Sequence, residues 1–210
     1  MTMTDNITVN TQSSIRIDGG DTVIRFDPLG ISGEPKDADI IFITHEHFDH
    51  FSPEDIAKVR KPDTVFAAPA SMKKKVESTG ITDAVYLTAG EKTEIRGIPV
   101  EAVLAYNKMK PFHLRSNGWL GYIVTVGGKR IYAAGDTDAV KENEALKCDV
   151  ALIPIGGTYT MNYKEAAAFV NKLRPGTVIP IHYGSIVGSR SDGENFRRLV
   201  DDGINVEFRL

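Results

Sequence analysis

Thr44-His45-Glu46-His47-Phe48-Asp49-His50 is the stretch that decides the fold and the chemistry. It follows residues 39–44, a β-branched and almost wholly apolar run with the pattern of a strand buried on both faces. A rigid strand therefore delivers a short loop on which side chains can converge. His45, His47, Asp49 and His50 are four ligand-type groups within six residues. In extended backbone, residues two apart face the same way, so His45, His47 and Asp49 share a side and a turn at His50 brings its imidazole round. Four such groups are too many for one ion with an open position, and two adjacent metals are the natural reading.

Upstream, residues 14–17 and 22–26 read as strands joined by Asp18-Gly19-Gly20-Asp21, a hairpin turn cluster, and residues before about Asn6 are expected to be loose. Downstream, Ser52 caps a short helix over 54–60 with Pro53 at its start, and a lysine-rich surface helix over 71–78 lies between strands at 64–67 and 84–87. Strands over 93–96, 100–105, 121–126 and 130–133 follow, the last two turned by Gly127-Gly128. A second β-α-β unit has strand 150–155, helix 163–173 and strand 177–181, with a final strand at 205–209. The class is α/β. Two sheets with helices on their outer faces fit this order better than one doubly wound sheet, within a single domain over residues 1–210.

The chain has 210 residues and a net charge of −3, too balanced for a protein devoted to coating nucleic acid. Cys148 has no partner for a disulfide, which points to a reducing, cytoplasmic setting. Residues 1–10 lack the basic and apolar regions of a secretory signal. The longest apolar runs are strand-length, so no membrane partner is expected, and self-association stays open.

These residues resemble the metallo-β-lactamase superfamily, whose metal signature is H-x-H-x-D-H at the end of a strand. The resemblance extends along nearly the whole chain: a middle histidine (His113), an aspartate in Gly135-Asp136-Thr137, and a histidine ending a late strand in Ile179-Pro180-Ile181-His182-Tyr183-Gly184. It implies an αββα sandwich of two mixed sheets. It also implies that His45, His47 and His113 hold a first metal, that Asp49, His50 and His182 hold a second, and that Asp136 bridges them. Two dications with two carboxylates leave a site of about +2. Zinc leads as the metal, while nitrogen and oxygen ligands also admit manganese, iron or nickel. Cys148 stands apart from the ligand pattern, unlike the cysteine-using β-lactamases, and Glu46 is out of register for the oxygen-reducing di-iron branch. The compact pattern looks most like the ascorbate-phosphate-lactonase-like branch.

The expected activity is metal-dependent hydrolysis of a small anionic ester or lactone by a metal-bridging hydroxide, with Asp49 orienting it and His182 assisting. No acidic residue occurs from Ala102 to Gly135, and Lys110 and Arg115 flank His113, where they could steer an anion. Tyr159, Thr160 and Tyr183 are placed to line the pocket, while Trp119 and Tyr122 read as core. Two alternatives remain: a phosphodiesterase or nuclease working through the basic segment, and a metal-binding scaffold without turnover.

Overall fold

The computed structural model describes residues 4–210. Its first half runs β1 (Ile7–Val9), β2 (Ile15–Asp18), β3 (Val23–Phe26), β4 (Ala38–Phe42), α1 (Pro53–Val59), β5 (Arg60–Pro69), α2 (Lys73–Glu77) and β6 (Ala84–Leu87). The second half runs β7 (Lys92–Ile95), β8 (Ile98–Leu104), β9 (Leu120–Val126), β10 (Lys129–Ala133), β11 (Val150–Pro154), α3 (Tyr163–Leu173), β12 (Thr177–Ile181), α4 (Ser191–Arg197) and β13 (Asn205–Val206). One sheet has the order β1-β2-β3-β4-β5-β6 and the other β13-β12-β11-β10-β9-β8-β7. Both mix parallel and antiparallel pairs.

Side-chain alternation explains the layering. On β4, Ile40 and Phe42 join the apolar layer between the sheets, while Ile41 and the following Ile43 join the layer under α1 and α2. On β11, Val150 and Leu152 face the first layer, and Ala151 and Ile153 pack with α3 and α4 residues such as Phe169 and Phe196. The result is the expected αββα sandwich. Phe26, Phe42 and Tyr122 meet at its centre with ring centroids 5.0–6.3 Å apart. The buried Tyr122 hydroxyl donates to the Ile43 carbonyl at 2.9 Å, tying the two sheets together just below the histidine loop.

The loose start expected before Asn6 lies partly outside the described residues. Within them the segment is held: Ile7 N–H donates to the Thr4 carbonyl, and the buried Thr4 hydroxyl donates to Glu207. The lysine-rich helix is shorter than expected, with a 3₁₀ turn over Ala70–Met72 ahead of α2. Ser52 caps α1 as expected, its side chain accepting from the Asp55 N–H.

An ion cluster on the first sheet yields a stability prediction. Arg25 grips Asp37 with two hydrogen bonds of 2.9 Å, and Arg16 adds a third at 3.1 Å. Burial pushes the Asp37 carboxyl up, but the two guanidinium groups outweigh it and hold its pKa below the usual carboxylate range. A depressed folded pKa stabilises fully above the unfolded value and loses that contribution as pH falls through the folded one. Asp37→Asn is expected to cost about 1 kcal/mol at pH 7, a low figure because solvent screens the cluster. The gap from the parent should shrink below about pH 4 in urea unfolding, and a constant gap down to pH 2 contradicts this reading.

Candidate metal centre

The parallel pairs β3–β4 and β10–β11–β12 gather their carboxyl-terminal ends at one end of the sandwich. Asp27 follows β3, residues 44–50 follow β4, Asp136 follows β10, His182 follows β12, and His113 lies between β8 and β9. Two glycines permit the convergence. Gly135 has φ +63°, and a Cβ there would lie 3.0 Å from Thr44 Cβ. At Gly156 a Cβ would lie 2.3 Å from the His182 carbonyl oxygen.

All seven expected ligands meet there. His45 Nε2 lies 3.1 Å from His47 Nδ1 and 3.4 Å from His113 Nε2. His182 Nε2 lies 3.2 Å from Asp49 Oδ2, and His50 Nε2 lies 3.6 Å from the same oxygen. Asp136 stands between the two groups, with Oδ2 3.3 Å from His113 Nε2 and 3.4 Å from His182 Nε2, and Oδ1 3.3 Å from His50 Nε2. Three sets of donor atoms each cluster within 4.8 Å: His45, His47 and His113; His45, His50 and Asp136; Asp49, His50 and His182.

The donor set fits metal ions. Ligand atoms about 2.0–2.1 Å from a tetrahedral zinc stand about 3.3 Å apart, close to the spacings around His45. Buried His50 Nε2 and Asp136 Oδ1 are 3.3 Å apart but form no well-formed hydrogen bond with each other or with another group, a costly condition that a cation between them would relieve.

Electrostatics follow from burial and these contacts. Burial, with His50 adding to it, holds the His45 pKa well below its usual value, so this imidazole is neutral. For His50, burial opposes protonation, but the Asp136 and Asp27 carboxylates overcome it and hold its pKa well above the usual value. A cation held here would take the place of that proton. Burial alone would raise the Asp136 pKa, yet His182 and His50 hold it well below the carboxylate range.

A residue that sequence reasoning missed organises the centre. Asp27, 1% exposed, accepts from Thr44 N–H through Oδ1 at 2.8 Å and from the Thr44 hydroxyl through Oδ2 at 2.6 Å. The same Oδ2 lies 2.7 Å from His50 Nδ1, and Thr44 Oγ1 lies 3.0 Å from His45 Nδ1. One carboxylate thus orients imidazoles from both groups, leaving their Nε2 atoms toward the centre. An acidic residue directly after a strand, as Asp27 follows β3, was the available signal. Asn107 Nδ2 lies 3.2 Å from His113 Nδ1 and donates to the Tyr159 carbonyl. Nothing in the sequence marked it.

Trp119 is buried as expected, and its ring also lies against the ligand cluster, with its centroid 4.9 Å from those of His45 and His47 and 5.4 Å from that of His113. The other nominated residues divide. Lys110 is held by Asp138 and the Thr160 carbonyl, and Arg115 by Glu142 at 2.8 Å, so neither is a free cation. Tyr159 packs edge-on to Phe112 at 4.8 Å. Thr160 is fully buried with its hydroxyl on the Met161 carbonyl, and Tyr183 packs in the apolar layer under α3 and α4. Exposed Glu46 pairs with Lys75 away from the ligand cluster. Burial pushes the Cys148 thiol up to about 12, which makes it inert.

Comparison with known proteins agrees with this geometry. Residues 6–182 match the family model of the beta-lactamase superfamily domain. A UPF0173 metal-dependent hydrolase of Pyrococcus abyssi is 34% identical, with 89% of this chain and 88% of that protein covered. The structure of a candidate metal-dependent hydrolase from Parabacteroides distasonis superposes with a TM-score of 0.83 at 33% identity, covering 97% of this chain and 91% of that one. Igni18, a metallo hydrolase of Ignicoccus hospitalis, shares the fold with a TM-score of 0.78 at 23% identity, covering 96% of this chain and 93% of its own. No helix among the described residues is long and apolar enough to cross a membrane. The chain belongs to the metallo-β-lactamase superfamily and is one of its metal-dependent hydrolases.

Proposed function

We propose that the chain is a dinuclear hydrolase of small esters or lactones, working as one domain in a reducing, cytoplasmic setting. His45, His47 and His113 hold one ion, Asp49, His50 and His182 hold the other, and Asp136 serves both, with zinc as the first candidate. The observation that carries the reading is the pair of donor groups meeting at Asp136, with His50 Nε2 and Asp136 Oδ1 buried without a well-formed hydrogen bond.

Two bound dications would supply a water nucleophile activated near neutral pH and positive charge for a developing oxyanion. Burial would raise the Asp49 pKa, but His182 and His50 hold it below the carboxylate range, so Asp49 is ionised. It can accept and orient the proton of an attacking water rather than donate one. Trp119 covers the His45 and His47 rings and excludes bulk water from that side.

The net charge of about +2 draws an anionic or carbonyl oxygen without help from Lys110 or Arg115. Apolar side chains support a second feature of the substrate. Of the seven exposed large hydrophobic residues among the described residues, five (Phe48, Met109, Phe112, Leu114 and Ile186) lie within about four residues of a ligand histidine. They suit a substrate whose polar head is followed by an apolar body.

Metal analysis and an acyl-ester series from acetate to octanoate test this together. The expected result is two divalent ions per chain, activity lost with chelation, and kcat/KM rising about two- to fourfold per added methylene. A metal-loaded protein inert toward esters and lactones contradicts the hydrolase reading, and a flat series removes the apolar body.

A further inference from the structure

The outer ring nitrogens of the buried imidazoles are not treated alike. His45 Nδ1 has Thr44, His50 Nδ1 has Asp27, and His113 Nδ1 has Asn107 as neighbours within 3.3 Å. His182 Nδ1 is equally buried and has no partner. Directly against it in the backbone stands Gln12, on the turn between β1 and β2, whose carbonyl accepts the His182 N–H at 3.0 Å. The Gln12 side chain is also buried, at 1% exposure, and neither its Oε1 nor its Nε2 has a partner.

We propose that Gln12 is a positioning residue: its amide oxygen accepts the proton on His182 Nδ1, which fixes the tautomer whose Nε2 lone pair faces Asp49 and Asp136. The inference rests on the metal reading above. The two residues are joined through their backbones, and leaving a buried donor and a buried acceptor unpaired is costly, so a turn of the Gln12 amide toward the ring would relieve both. Such outer partners fix ring orientation and raise ligand basicity in metal sites generally.

Backbone conformation is an independent observation. Six non-glycine residues have positive φ among the described residues, and three of them are Gln12 (+47°), Asp27 (+43°) and His182 (+55°). Glycine or asparagine adopts that state at less cost than glutamine, and residues held there gather at functional sites. Asp27, already seen to hold His50, shares this conformation, and Gln12 stands to His182 as Asp27 stands to His50.

The test compares the full-length protein with Gln12→Met, which keeps the length and removes the acceptor, and Gln12→Glu, which keeps the acceptor. Each is stripped by chelation and titrated with Co²⁺, read by visible absorption, with thermal melting of the stripped proteins as a fold control. The expected result is an affinity for one of two Co²⁺ ions lowered about 10- to 100-fold in Gln12→Met, the other ion unchanged, and recovery in Gln12→Glu. In the metal-loaded parent, ¹⁵N NMR should show His182 protonated at Nδ1, which keeps the test decisive if Gln12→Glu fails to fold. Parent-like titration of Gln12→Met, equal weakening of both ions, or an unprotonated Nδ1 in the loaded parent overturns the inference. A parent chain that binds no Co²⁺ instead overturns the metal reading itself.

Discussion

Asp49→Ala and His182→Ala are each expected to lower hydrolysis by about a thousandfold or more in a chain that stays folded. Both side chains sit beyond strand ends, outside the apolar layers that hold the sheets together. Their Oδ2 and Nε2 atoms lie 3.2 Å apart; Asp49 Oδ2 is also 3.6 Å from His50 Nε2, and His182 Nε2 is 3.4 Å from Asp136 Oδ2. Removing either leaves two protein donors from the set of Asp49, His50 and His182, and Asp49→Ala also removes the carboxylate proposed to orient the nucleophile. Circular dichroism, metal content and kcat measured on the same preparations separate lost chemistry from lost fold. Retention of parent-like activity in both folded variants would sink the mechanism.

Asp27→Ala should have the second large effect, by a different route. The carboxylate has no direct contact with the donor atoms at the centre, yet it bonds the Thr44 N–H, the Thr44 hydroxyl and His50 Nδ1. Its loss strands three buried polar groups, so stability should fall by about 2–4 kcal/mol. Affinity for the ion held by His50 should fall about 10- to 100-fold, since that imidazole loses its orienting partner. The ion held by His45 should weaken less, because Asp27 reaches that ring only through Thr44. Urea unfolding and metal titration measure the two effects separately. Equal losses at both ions would show that Asp27 supports the loop as a whole and does not orient His50 in particular.

The parts legible in the sequence were those whose signal is local. The run over residues 40–43 declares its two buried faces by composition, and the histidine loop declares its chemistry by spacing. His113, Asp136 and His182 became legible through resemblance, since each alone reads as an ordinary polar residue. Asp27, Asn107 and Gln12 escaped because their roles exist only across the fold, between residues 23, 6 and 170 positions apart. β1 is too short at three residues to show alternation. α4 contains Gly193 and buries only that residue and Phe196, so no apolar stripe marks it. The basic segment misled because charge was counted without partners: Lys110, Arg115 and Arg130 each meet an acid brought from elsewhere in the chain.

Anomalous diffraction from crystals of the metal-loaded protein, collected at the absorption edge of the bound metal, tests the dinuclear centre most directly. Two metal peaks are predicted, one among His45, His47 and His113, the other among Asp49, His50 and His182, with Asp136 in contact with both. A single peak, or two peaks with Asp136 bound to neither, would contradict it.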